Sequence, residues 1–255
     1  MTTAPVLEIQ ELHKTFRVGF FRKRVDAVRG LSFAVREGEI FGLLGPNGAG
    51  KTTTLKVMMG LIAPTAGAVR IFGRPSSEPK ARCDVGFLPE NPYFHEYLTP
   101  RELLEFYGRL VGLTGAEIRR QRDALIEQVG LADAANRPLR KFSKGMLQRI
   151  GIAQALVGAP KLLVLDEPMS GLDPIGRKFV ADLIGDLNRR GTTVLFSSHI
   201  LSDVERLCHR VVILNRGVKV AEGSLAELAG EGEGAETLES LFVRKALEAG
   251  GPTSP

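Results

Sequence analysis

Apolar residues in this chain follow two rhythms. Val6 to Leu12 and Leu31-Ser-Phe-Ala-Val35 alternate with period two, as half-buried strands do, whereas Ile40-Phe-Gly-Leu-Leu44 is continuously apolar and reads as a buried strand. Further strand-like runs are Val85 to Leu88, Leu162 to Leu165, Thr193 to Phe196, and the pair Val211 to Leu214 and Val218 to Ala221 around Arg216-Gly217. Most are separated by helix-length segments, the βαβ rhythm of a largely parallel sheet.

The stretch between Leu88 and Leu162 has helical signals instead. Thr99-Pro-Arg-Glu102 is a capping box with proline at the first helical position, and Thr114-Gly-Ala-Glu117 repeats the box. The expected organisation is an α/β core over residues 1–90 and 160–223, a helical insertion over 91–159, and a short acidic tail over 224–255. In that tail Gly230 to Gly234 is a Gly/Glu stretch, and Glu236 to Leu247 has the pattern of a closing amphipathic helix.

Composition narrows the class. At 255 residues, 44% hydrophobic and 25% charged, the chain is long enough for one large or two small domains, which excludes fibrous and disordered classes. The apolar run Val57 to Ala63 is far shorter than the ~18 residues of a membrane span. Met1 to Gln10 lacks the pattern of a secretory signal, so a cytosolic location is expected. Cys83 and Cys208 stand far apart without a metal-ligand pattern and read as reduced packing residues. The net charge of +5 is neither extreme nor interleaved with aromatics, since the chain has no Trp and three Tyr, so no nucleic-acid partner is expected. From Arg216 onward four basic residues face seven acidic ones; residues 1–215 therefore carry about +8, which suits an anionic ligand.

The candidate chemistry begins directly after Leu44. Gly45-Pro46-Asn47-Gly48-Ala49-Gly50-Lys51-Thr52 matches the phosphate-binding loop G-x-x-x-x-G-K-[ST], between a buried strand and a helical run from Thr52 to Ile62 that Thr53 continues. Its glycines let backbone N–H groups turn toward phosphate oxygens, Lys51 is placed for the β/γ-phosphates, and the Thr52 hydroxyl for Mg²⁺. The apolar strand Leu162 to Leu165 ends in Asp166-Glu167, which would deliver one carboxylate to Mg²⁺ and one to an attacking water.

Taken in order with these motifs, further segments closely resemble the ATP-binding subunits of ATP-binding-cassette (ABC) transporters, from about Leu7 to Gly223. Phe142-Ser143-Lys144-Gly145-Met146-Leu147-Gln148-Arg149 looks like the family's signature, Ser170-Gly171-Leu172-Asp173 like its D-loop, and His199 like its switch histidine. The resemblance implies a P-loop NTPase fold: a RecA-like, mostly parallel α/β core with N-terminal antiparallel strands and an inserted helical subdomain. It implies an Mg-dependent ATPase in which Glu167 polarises water and His199 holds the γ-phosphate. It also implies a homodimer or heterodimer in which Ser143, Lys144 and Gly145 of one copy face the ATP of the other, Asp173 linking the sites. Phe16 matches the aromatic that stacks on adenine, with Phe20 or Phe21 as alternatives.

Two departures stand out. Glu90 occupies the place of the family's usual glutamine beside Mg²⁺, and the signature reads Ser-Lys-Gly, adding the cation Lys144 near the partner's phosphate. Both are similar to ATP-binding subunits of ABC-2-type exporters, whose permease is a separate polytopic membrane chain, and place this chain at the cytoplasmic membrane face. Asn91 to Thr99, with Pro92, Tyr93, Phe94 and His95, is the candidate dock for that permease. The basic run Arg22-Lys23-Arg24 reads first as a solvated loop. The alternatives are a soluble ABC ATPase of iron-sulfur assembly, which usually carries Ser-Gly-Gly-Glu where this chain has Ser-Lys-Gly-Met, and a P-loop kinase, which would lack the signature and His199.

Overall fold

The computed structural model describes residues 4–19, 22–229, 240 and 244. Phe20 and Phe21, the Gly230 to Gly234 stretch and, apart from Ser240 and Arg244, the expected helix from Glu236 to Leu247 lie outside the described residues. In chain order the elements are β1 (Leu7–Val18), β2 (Lys23–Val35), β3 (Ile40–Leu44), α1 (Lys51–Met58), β4 (Ala66–Ile71) and β5 (Arg74–Pro75). There follow β6 (Val85–Leu88), α2 (Pro100–Leu110), α3 (Gly115–Gln128), α4 (Lys144–Ala155), β7 (Leu162–Leu165) and α5 (Pro174–Arg189). The last are β8 (Thr193–Ser198), α6 (Leu201–Leu207), β9 (Arg210–Asn215), β10 (Val218–Ser224) and α7 (Leu225–Ala229). These elements form two compact units, residues 1–83 with 193–255, and residues 84–192.

In the first unit β3 runs parallel to both β8 and β9, with Leu44 opposite Ser198 and Ile213. All five residues of β3 and all six of β8 are buried, which explains why these strands are apolar throughout instead of alternating. An antiparallel sheet ordered β2-β1-β4-β5 accompanies them, and Phe33 of β2 stacks on Phe41 of β3 with ring centroids 5.3 Å apart. β1 and β2 are much longer than their alternating segments predict. Their outer halves pair with each other through Phe16 opposite Val25 and Arg17 opposite Arg24, so partner strands sustain what the local pattern does not announce. β4 and β5, six and two residues long, are not among the strands expected from the sequence.

In the second unit β6 and β7 pair in parallel, with Leu88 opposite Leu165. Both capping boxes form: Thr99 starts α2 and Thr114 starts α3, each with reciprocal hydrogen bonds to the glutamate three residues on. Two sequence expectations require correction. Cys83 is exposed instead of packed, whereas Cys208 is buried and its thiol is pushed up by that burial. Helix α1 stops at Met58, short of Ile62, because Met59 and Gly60 close its end with turn hydrogen bonds to Leu55 and Val57.

Candidate nucleotide site

The phosphate loop lies where β3 hands over to α1. The parallel pairing carries straight across the end of the sheet, because the Gly45 N–H donates to the Ser198 carbonyl at 3.2 Å and so brings the loop beside His199. That juxtaposition follows the rule that ligands bind beyond the carboxyl ends of parallel strands. His199 is exposed, and the Ser198 hydroxyl accepts the Ile200 N–H at 3.0 Å, which fixes the turn around it.

Within the loop the backbone is tightly backed. A Cβ on Gly45 would come within 2.5 Å of the Leu214 carbonyl oxygen, and one on Gly50 within 2.5 Å of the Ala27 carbonyl oxygen; Gly50 also has φ of +103°. Only glycine combines that dihedral with that proximity. Lys51 is buried at 6% exposure, and its ammonium donates to the carbonyls of Gly45 at 2.6 Å and Pro46 at 3.3 Å. A buried ammonium in front of a helix start is a strong anion receptor.

These residues fit a phosphate chain. α1 starts at Gly50 with no side-chain cap and no acidic residue in its first turn, so its own sequence supplies no carboxylate to offset the partial positive charge of the helix start. Pro46 forms a turn with Ala49, whose N–H donates to its carbonyl at 3.1 Å, while Asn47 and Gly48 are exposed at the rim and Thr52 and Thr53 are half-buried on the helix. Phe16 is half-buried in β1, and the Lys14 ammonium lies 4.9 Å from its ring centroid, held there by its bond to the Ala63 carbonyl.

The second unit assembles the other candidates. Asp166 and Glu167 follow β7 and are almost fully buried, and the Asp166 N–H donates to the Leu88 carbonyl at 2.8 Å. That bond ties the carboxylate pair to the end of β6, two residues before the exposed Glu90. Glu167 has φ of +51°, a left-handed conformation that costs a non-glycine residue about 1–2 kcal/mol. Backbone strain of this kind concentrates at functional positions, and the turn is held by the Ser170 N–H donating to the Glu167 carbonyl at 3.1 Å.

Ser143 is the N-cap of α4, its hydroxyl accepting the Met146 N–H at 3.3 Å, and Asp173 is the N-cap of α5, accepting the Gly176 N–H at 2.6 Å. These two helix starts border one cavity of about 250 Å³ that Gly145, Met146 and Leu172 also line. The Lys144 side chain lies over Gly171 of its own chain, its Cε 3.1 Å from where a Gly171 Cβ would be. Of the candidate dock, Tyr93 and Tyr97 are exposed at 87% and 68%, whereas Phe94 is buried against the α4 face at Gly151.

A family model described as ABC transporter matches residues 28–170. The chain is 47% identical over 238 residues to an uncharacterized ABC transporter ATP-binding protein of Synechocystis sp., covering 92% of this chain and 67% of that protein. It is 37% identical to Nod factor export ATP-binding protein I of Ralstonia nicotianae, covering 93% of this chain and 73% of that one. Among solved structures it resembles a dimeric ATP-binding cassette in a post-hydrolysis state bound to ADP and Pi, with a TM-score of 0.78 and 26% identity over 86% of this chain and 98% of the other. With the phosphate loop seated before α1 and the carboxylate pair ending β7, the chain belongs to the ABC transporter family as an ATP-binding, ATP-hydrolysing P-loop subunit.

Proposed function

We infer that this chain powers an exporter by hydrolysing ATP while docked on a separate polytopic membrane permease at the cytoplasmic face of the membrane. Export is favoured by the likeness to the Nod factor export ATP-binding protein and by the Ser-Lys-Gly signature. The observation that carries the partner is the aromatic surface of the second unit. There the exposed Tyr97 packs against His95 at 5.6 Å, His95 meets the exposed Phe106 at 6.4 Å, and Leu110, one helical turn after Phe106 on α2, is exposed as well. Contiguous exposed apolar surface marks an interaction site, whereas scattered single residues do not. Among the described residues no helix is long and apolar enough to cross a membrane.

In this reading Lys51 and the backbone N–H groups of Gly48, Ala49 and Gly50 bind the β- and γ-phosphates, and Phe16 supports the base. Glu167 accepts a proton from the attacking water, and His199 holds that water against the γ-phosphate. Mg²⁺, when bound, neutralises charge on the phosphate oxygens; Thr52, Asp166 and Glu90 are the side chains proposed to hold it. Ser143, Lys144 and Gly145 complete the site of a second copy, identical or paralogous, and Asp173 relays between the two.

The test is to tag the chain in its native host, solubilise membranes in mild detergent and identify what co-purifies. A stoichiometric polytopic membrane protein is the expected result, and it should be lost from a Tyr93→Ala/Tyr97→Ala variant. Recovery with soluble partners alone would overturn the transporter reading in favour of an assembly ATPase.

A further inference from the structure

The phosphate loop is braced from behind by residues far from it in sequence. β9 and β10 are joined by Arg216-Gly217, with φ of +47° and +81°, a tight turn in which Asn215 faces Val218. This turn does not point into solvent: the Gly217 N–H donates to the Ala49 carbonyl at 3.0 Å, and the Gly217 carbonyl accepts the Arg29 N–H at 2.7 Å. The Arg29 guanidinium then closes on the turn, its Nε and Nη2 donating to the Arg216 carbonyl at 3.2 and 2.7 Å across 187 residues of sequence. The approach is too close for side chains, since a Cβ on Gly217 would lie 2.8 Å from the same Ala27 carbonyl oxygen that lies behind Gly50.

The consequence is geometric. A trans peptide unit is planar, with its carbonyl and its N–H pointing to opposite sides. Holding the Ala49 carbonyl backward onto Gly217 therefore points the Gly50 N–H forward, away from the brace, and that N–H donates to no described residue. An N–H group aimed before the ligand arrives costs no reorganisation on binding. The glycines on both sides of Ala49 permit more than one orientation of the Ala49–Gly50 peptide, and the brace selects one.

We propose that Arg29 and the Arg216-Gly217 turn form a strut that fixes the orientation of the Ala49–Gly50 peptide, making Arg29 a positioning residue for ATP binding. The strut also connects the phosphate end of the site to β2, whose Val25 is paired with Phe16 at the proposed base end. Arg29 touches neither the phosphates nor the water in this arrangement; it acts through the turn. The proposal rests on the phosphate loop being the ATP site.

The test uses the full chain and measures ATP affinity, KM, kcat and thermal stability for Arg29→Ala, Arg29→Gln and Arg29→Lys, with Lys51→Ala as the reference for the loop itself. Arg29→Ala is expected to raise the ATP Kd and KM about tenfold while leaving kcat at saturating ATP within about twofold, equivalent to about 1.4 kcal/mol of binding. Arg29→Lys, which keeps a cation able to reach the Arg216 carbonyl, should recover at least half of the loss on a logarithmic scale. A role in stability alone would lower the melting temperature and leave KM unchanged, and that result overturns the strut. So does an affinity within twofold of wild type for both Arg29→Ala and Arg29→Gln while Lys51→Ala abolishes binding; wild-type affinity in Lys51→Ala would instead defeat the reading of the loop. Should Arg29→Ala fail to fold, Arg29→Gln and Arg29→Lys decide by the same KM criterion.

Discussion

Helices α1 and α4 begin differently from α2 and α3. At α2 and α3 a threonine hydroxyl accepts the N–H of the glutamate three residues on, and that glutamate's carboxylate reaches back to the threonine N–H. The partial positive charge of each of these helix starts is neutralised by its own side chains. α1 begins on glycine with no side-chain cap, α4 uses only a serine hydroxyl, and neither has an acidic residue in its first turn. An approaching phosphate would meet a carboxylate at α2 or α3, and at α1 a helix start with neither a side-chain cap nor an acid in its first turn. The four helix starts therefore divide into closed ends that stabilise the fold and open ends suited to anions, the same backbone chemistry serving both.

The largest effect expected lies in the chemistry that the open end serves. Glu167→Gln should still bind ATP but hydrolyse it at least about 100-fold more slowly, the span a positioned general base contributes. A phosphate-release assay that finds more than half of wild-type turnover would remove Glu167 from that role. The next tests the comparison itself. Thr53→Glu places a glutamate at the third position of α1, as Glu102 stands in α2. Calorimetry should show ATP binding weakened about 100-fold, because the carboxylate competes for N–H groups worth about 1.5–3 kcal/mol each to a charged ligand.

The reverse change at a closed end should touch stability and not ligand. Thr99→Ala removes a helix cap and should cost about 1 kcal/mol, a fall of about 2–4 °C in melting temperature, with KM for ATP unchanged. A shifted KM would break the division between the two kinds of helix start. The smallest effect is one of pH. The Thr99 N–H and hydroxyl hold the Glu102 carboxyl below its ordinary value, and the Thr114 hydroxyl and N–H do the same for Glu117. Groups depressed in this way stabilise the fold fully above their unfolded value near 4.5, and the contribution is lost as pH falls through the lower folded value. Circular dichroism followed downward from pH 5 should therefore show a helix loss in the wild type that is smaller in Glu102→Gln/Glu117→Gln.

What could be read in advance was local. Both threonine boxes, the loop from Gly45 to Thr52 and the fully apolar strands β3 and β7 have their determinants within a few residues, so the chain states them directly. The family resemblance rested on the order of such local signals, and the comparisons agree with it. What could not be read in advance depended on distant partners. Phe94 and Tyr93 are adjacent aromatics, yet one packs at Gly151 and the other faces solvent, because the position of α4 decides which side of the segment is covered. Cys83 and Cys208 have the same chemistry and opposite burial for the same reason.

By itself, then, the sequence determined the continuously apolar strands, the closed starts of α2 and α3, and the loop pattern from Gly45 to Thr52. These depend on backbone dihedrals, hydrogen bonds and periodicities that span one or two turns of chain. Only the tertiary structure decided that Ala27, Arg29 and Gly217 stand behind the Ala49–Gly50 peptide and that Ser198 holds the start of the loop. A carbonyl oxygen has no sequence signature, since every residue has one; which carbonyl meets which N–H is settled by strand register, and register is a property of the folded sheet.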